Sequence, residues 1–182
     1  SAKGADAVVF LYDTNSYDNT LEVARKYSKE FSSFTILERP FNQENPLENG
    51  TARNFYLDYL KQHYAGWWCA ALDADEIIHD LSKIKAFIQN APWISHQEGK
   101  DLPVVYDVHM RHLIGDFMHE DNMQERHYCP HRLFKITPEL EYPLGEHNVA
   151  LTAKNGVFVD KCEATTIWHL AYAPMFHVRR RM

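Results

Sequence analysis

Trp67-Trp68-Cys69-Ala70-Ala71-Leu72-Asp73-Ala74-Asp75-Glu76-Ile77-Ile78-His79-Asp80 is the stretch that decides the reading of this chain. Its first six residues are uncharged and mostly apolar, which predicts a strand buried on both faces. Three acids follow within the next four positions. In an extended chain residues two apart project to the same side, so Asp73 and Asp75 aim their carboxylates one way and Glu76 the other. Two convergent oxygen ligands at the end of a buried strand suit a hard divalent cation, Mn²⁺ or Mg²⁺, which would in turn hold phosphate oxygens. The competing reading is structural: Asp75 or Asp80 caps the helix marked by Ile84, Phe87 and Ile88, with Glu76 favouring its positive end.

Upstream, Ala7-Val8-Val9-Phe10-Leu11-Tyr12 is a second apolar run, and Asp13 ends it. Residues 14–20 are dense in turn and capping types, and a helix follows with Leu21, Ala24, Tyr27 or Ser28, and Phe31 along one side. Phe34-Thr35-Ile36-Leu37 predicts a short strand closed by Arg39-Pro40. After a polar loop to Gly50, the residues Ala52, Phe55, Tyr56, Tyr59, Leu60 and His63 recur at helical spacing. Strand and helix therefore alternate in the first half, the pattern of a parallel α/β sheet. Downstream, 104–110, 132–136 and 164–168 predict further strands, and the histidine-rich stretch 111–130 reads as loop. No internal repeat or linker interrupts the 182 residues, so one domain is expected, alternating strand and helix in its first half and less regular in its second.

A net charge of −6 argues against a general nucleic-acid binder, which would carry a basic face. An acidic protein still binds a phosphorylated ligand when a metal ion supplies the positive charge. No apolar stretch reaches the roughly 20 residues of a membrane span, and no signal peptide opens the sequence, so a cytoplasmic protein without a membrane span is expected. Cys69, Cys129 and Cys162 are odd in number and lack CxxC spacing, in keeping with reduced thiols.

In order along the chain, four segments resemble motifs of the family-two glycosyltransferases of the GT-A type. Asp13-Thr14-Asn15-Ser16-Tyr17-Asp18-Asn19-Thr20 is similar to that family's Asp-x-x-Ser-x-Asp-x-Thr turn. Gly50-Thr51-Ala52-Arg53-Asn54 resembles its Gly-x-x-Arg-Asn helix start, Asp73-Ala74-Asp75-Glu76 its Asp-x-Asp metal motif, and His131-Arg132-Leu133-Phe134-Lys135 an Arg-Leu-Phe segment of some members. The resemblance covers 5–90 well and 130–172 loosely, and the family's first strand has no counterpart here. It implies a GT-A-like (Rossmann-like) α/β fold: an open, mainly parallel sheet flanked by helices, with a mixed C-terminal part, and a single domain with a nucleotide-binding half over 1–94 and an acceptor-side half over 95–182.

The function it implies is metal-dependent transfer of a hexosyl or hexosaminyl group from a nucleoside diphosphate sugar to a hydroxyl of a glycan, lipid-linked or protein acceptor, with inversion. By the family's pattern Asp13, Gly50, Arg53 and Asp73 contact the nucleotide-sugar, and Asp75, Asp73 and the late histidine His169 hold Mn²⁺ or Mg²⁺. The proton-accepting carboxylate falls to Glu146, with Asp116, Glu120 and Asp121 as rivals. Each residue also has an ordinary reading: a turn aspartate for Asp13, a loop glycine for Gly50, a surface arginine for Arg53, a packed histidine for His169. Two other functional classes are carried beside the transferase: an inactive sugar-nucleotide or glycan-binding module, and a nucleotidyltransferase. A zinc reading of His109-x-x-His112 and His127-x-Cys129-x-His131 lacks recognisable ligand intervals, and Arg179-Arg180-Arg181 reads as a solvated tail.

Overall fold

Val8–Asp13 forms strand β1 and Phe34–Arg39 forms β2. The two pair in parallel, with Val8 opposite Phe34 and Asp13 opposite Arg39. Helix α1, Thr20–Ser28, makes the crossover and buries Ala24, and the side chain of Asp18 accepts from the Thr20 amide at its start at 3.0 Å. Helix α2, Glu48–His63, buries Ala52, Leu57 and Leu60; Leu57, off the face that the spacing marked, is buried completely, and Phe55, on that face, is exposed. Its first-turn acid, Glu48, is buried against Arg39 at 2.5 Å. That guanidinium holds the Glu48 carboxyl below the usual range.

The computed structural model describes residues 4–42, 44–114, 128–144 and 150–172. They fall into two compact units, one formed by residues 66–135 with 155 onward and the other by the residues up to 65 with 136–154. The dividing lines thus interleave along the chain and do not fall between 94 and 95. The second unit holds β1, β2, α1 and α2, with Leu140, Tyr142 and Leu151 buried.

The first unit is built on strands. β3 is Trp68–Ala70, β4 Glu76–Ile78, β5 Ile94–Gln97, β6 Lys100–Ile114, β7 Tyr128–Lys135 and β8 Phe158–Tyr172; helix α3 spans Leu81–Ile88. The strand order is β3-β7-β6-β8-β4, with β5 paired to β6. β6 and β8 run parallel, and the other pairs are antiparallel. A two-residue turn, Glu98-Gly99, joins β5 to β6 with φ of 48° and 78°, the sign at both positions that a right-twisted hairpin turn demands. Tyr106, Val108, Leu133, Cys162 and Ile167 form the centre of the core, and Ile84 of α3 packs into it.

This architecture overturns the expected helix-flanked, mainly parallel Rossmann-like sheet. The described structure is 39% strand and 23% helix, with a curled mixed sheet and a small separate parallel one. The misreading has a definite origin at β3. A run of six uncharged residues yields only three strand residues, with Trp67 exposed and Trp68 half-buried. Instead of lying buried between parallel neighbours, β3 pairs antiparallel with β7, Trp68 opposite Lys135. β4 and β5, short and partly polar, carried too weak a periodicity to be read as strands, and residues 111–114 and 128–130, read as loop, extend β6 and β7.

Gly50 supplies a test of the second unit. A Cβ at this helical position would sit 2.5 Å from the Pro143 carbonyl oxygen. Replacing glycine by alanine inside a helix ordinarily gains about 1 kcal/mol. Gly50→Ala should instead cost about 1–3 kcal/mol, because the obstacle is backbone and cannot rotate away. Chemical denaturation checks this; a variant as stable as the parent would mean that the close approach is absent.

Candidate functional site

The acids after β3 do not continue a strand. The Glu76 amide donates to the Asp73 carbonyl at 3.0 Å, closing a turn over 73–76, and Glu76 Oε2 accepts from the Asp73 amide at 2.8 Å. Asp73 and Glu76 therefore converge instead of pointing to opposite sides. Both meet Arg132: one guanidinium nitrogen lies 2.7 Å from Asp73 Oδ2 and 2.5 Å from Glu76 Oε1. Arg132 and Glu76 are buried, whereas the Asp73 side chain is 43% exposed.

Arg132 reaches this position through an irregular stretch of β7. The β6–β7 register shifts between Tyr106 and Val108. His131, at φ 53°, adopts the left-handed conformation that is uncommon outside glycine and found at bulges. The Asp107 carboxylate secures it by accepting the His131 amide at 2.9 Å. The Arg132 carbonyl then accepts from Ala71 at 2.9 Å, tying β7 to the residue after β3.

Asp75 turns the other way, toward β8. Glu76 lies opposite His169 in the β4–β8 pair, and the Leu170 amide donates to the Asp75 carbonyl at 2.7 Å. These bonds bring Asp75 Oδ2 to 3.5 Å from His169 Nε2. The Asp75 carboxylate raises the His169 pKa above the usual 6.5 in spite of the opposing effect of burial. Burial raises the Glu76 carboxyl, although Arg132 pulls against it. The helix cap is Asp80, which accepts from the Ser82 amide at 2.9 Å, so Asp75 is not the cap of α3.

No protein-family model and no curated protein matches this chain. What the arrangement can do therefore rests on its own chemistry. Asp75 and His169 offer one carboxylate oxygen and one imidazole nitrogen, a donor pair that suits Mn²⁺. Their 3.5 Å separation is close to the roughly 3 Å between adjacent corners of an octahedron with bonds near 2.1 Å. The pair fits a cation that takes two protein ligands and fills its other positions with water and phosphate oxygens, the habit of Mg²⁺-type sites. Among the described residues no three His, Cys, Asp or Glu side chains gather as metal ligands, and Asp73 has one oxygen committed to Arg132.

The remaining expected contacts lie in the second unit. Asp13 Oδ1 accepts from the amides of Asn15 at 2.9 Å and Phe41 at 2.8 Å, so it ties together the turns that follow β1 and β2. Gly50 packs against Pro143 and Leu144. The Arg53 guanidinium lies 5.6 Å from the centre of the Tyr142 ring. Glu146, Asp116, Glu120 and Asp121 lie outside the described residues, as do His127 and the 179–181 arginines. Sequence reasoning missed the role of Arg132 and the presence of His112 beside His169; the only signal for Arg132 was the Arg-Leu-Phe segment. The His109-x-x-His112 spacing does not make a chelate, because residues three apart in β6 face opposite sides.

Two outcomes follow from this electrostatic arrangement. Arg132→Met should destabilise the protein by about 3–5 kcal/mol near neutral pH, because Glu76 is left buried and unpaired. Glu76→Gln added to it should restore much of that loss in denaturant titrations; equal instability of the double variant would contradict the pairing. For His169, a raised folded-state pKa means a stabilising contribution complete below pH 6.5 and lost as pH rises through the folded value. Ring NMR titration should place the His169 midpoint above 6.5, and Asp75→Asn should lower it.

Proposed function

We propose that this protein is a metal-dependent glycosyltransferase that takes a sugar from a nucleoside diphosphate donor and passes it to an acceptor hydroxyl. The single observation that carries the reading is the meeting of Asp75 and His169. They are distant in sequence, and they are two of the three side chains, with Asp73, to which the resemblance gave a shared cation. A cation bound there would supply Lewis-acid stabilisation of the departing diphosphate.

The chain's own residues prepare for that charge. Arg132 offsets one of the two charges of Asp73 and Glu76, and the carboxylate that faces His169 is that of Asp75. Its side chain is 36% exposed and that of His169 20%, which leaves room for an incoming ligand to reach both. Asp73, half-open beside Arg132, would accept from a sugar or ribose hydroxyl. The acceptor's proton would go to a carboxylate, for which Glu146 and Asp116 are the candidates.

Titration calorimetry with UDP and GDP, each with and without Mn²⁺, followed by a donor-hydrolysis assay, tests the reading. Binding should depend on Mn²⁺, and nucleoside diphosphate should be released. Asp75→Asn should lower turnover at least about a hundredfold. The same change should cost less than about 1 kcal/mol of stability, because the pair it breaks is partly exposed. Release of pyrophosphate would indicate a nucleotidyltransferase, and Mn²⁺-dependent binding without turnover a binding module. Unaltered turnover in Asp75→Asn would remove the proposal.

A further inference from the structure

His112 of β6 lies directly opposite His169 of β8 in the parallel ladder. Register partners in neighbouring strands stand on one face of a sheet, about 4.8 Å apart. Two residues earlier on each strand, Met110 and Ile167 are also register partners, and both are buried in the core. His112 and His169 therefore extend the core-facing side of these two strands to the point where it meets Asp75. Their Nδ1 atoms are 2.8 Å apart, and the rings stand at 88° with centres separated by 4.8 Å. Perpendicular rings at that distance aim one nitrogen at the other, so the contact is a hydrogen bond and not a stack. One Nδ1 must carry the proton and the other must accept it.

The opposite edge of the His169 ring fixes its orientation. Nε2 faces Asp75 Oδ2, where either a proton or a cation must lie between two electron-rich atoms. With a cation there, Nε2 presents its lone pair, the remaining ring proton has to be on Nδ1, and His112 Nδ1 receives it. With a proton there, Nε2 donates to Asp75 and the ring keeps the same orientation, whichever Nδ1 carries the proton shared with His112.

We infer that His112 is a positioning residue for His169: the bond between their Nδ1 atoms fixes the ring so that Nε2 is the nitrogen presented to Asp75, with His112 the acceptor when Nε2 holds a cation. A ligating histidine whose other ring N–H is bound to a neighbour is held in one tautomer and one orientation, and loss of such a neighbour weakens metal affinity about 10–100-fold. The inference about the hydrogen bond stands on the geometry alone, whereas its consequence for a cation rests on the function proposed above.

The test has two readouts, chosen so that the two claims fail separately. In ¹⁵N-labelled protein without metal, a coupling across the hydrogen bond should link Nδ1 of His169 to Nδ1 of His112. His112→Ala should abolish the protected ring-proton signal, and His112→Asn, whose side-chain oxygen falls near the replaced Nδ1, should restore it. Absence of the coupling, or an unchanged His169 spectrum in His112→Ala, would overturn the inference.

Mn²⁺ affinity measured by electron paramagnetic resonance should fall about 10–100-fold in His112→Ala and recover in His112→Asn. Loss of affinity in His169→Ala but not in His112→Ala would also overturn it. If Mn²⁺ fails to bind the parent protein while the coupling is present, the positioning role of His112 holds and the metal-dependent reading falls.

Discussion

One buried guanidinium organises the acidic segment. Arg132 is out of solvent with two carboxylates against it, one buried and one half-open. Removing charges from water costs several kcal/mol per ion, so such a group persists only where its partners are fixed in place. The partners are fixed because the 73–76 turn closes on itself through backbone bonds and through Glu76. Arg132 is fixed in turn by the His131 conformation and the Asp107 carboxylate behind it. The turn, the β7 irregularity and the ion pairs are therefore one construction.

That construction sets where Asp75 goes. With Asp73 and Glu76 drawn to β7, Asp75 is directed toward β8, where its carbonyl accepts from Leu170 and its carboxylate faces His169. The charges divide the same way: two carboxylates sharing one guanidinium on one side, and a carboxylate with a histidine and partial solvent access on the other. His112 then borders His169 on its far side because β6 and β8 are in parallel register there. A reading of the acids as a plain extended strand grouped Asp73 with Asp75. The turn groups Asp73 with Glu76, and that exchange changes which side chain is available to a ligand.

The sheet shows how far periodicity carries. In the first sixty residues β1 ended at Asp13, α1 followed the cap-rich turn and β2 ran parallel to β1, as expected, whereas α2 buried Leu57 completely and left Phe55 of its marked face exposed. β1, α1 and β2 find their partners nearby in sequence, but Asn54 of α2 accepts from the amide of Tyr142, 88 positions on. β3 broke the pattern because its apolar residues were compatible with either strand direction, and its partner lay more than sixty positions downstream at Lys135. An apolar run reports that a segment will be covered but carries no record of which strand covers it.

The residue types were thus settled by the sequence: where acids crowd after an apolar run, which segments are helical, and that Asp75 and His169 have the chemistry of cation ligands. Tertiary structure alone decided that Arg132 claims Asp73 and Glu76, that β3 runs antiparallel to β7, and that His112 stands beside His169. The reason is range. Side-chain spacing fixes a face over a few residues, whereas ion pairs and strand register depend on hydrogen bonds between segments that only folding brings together.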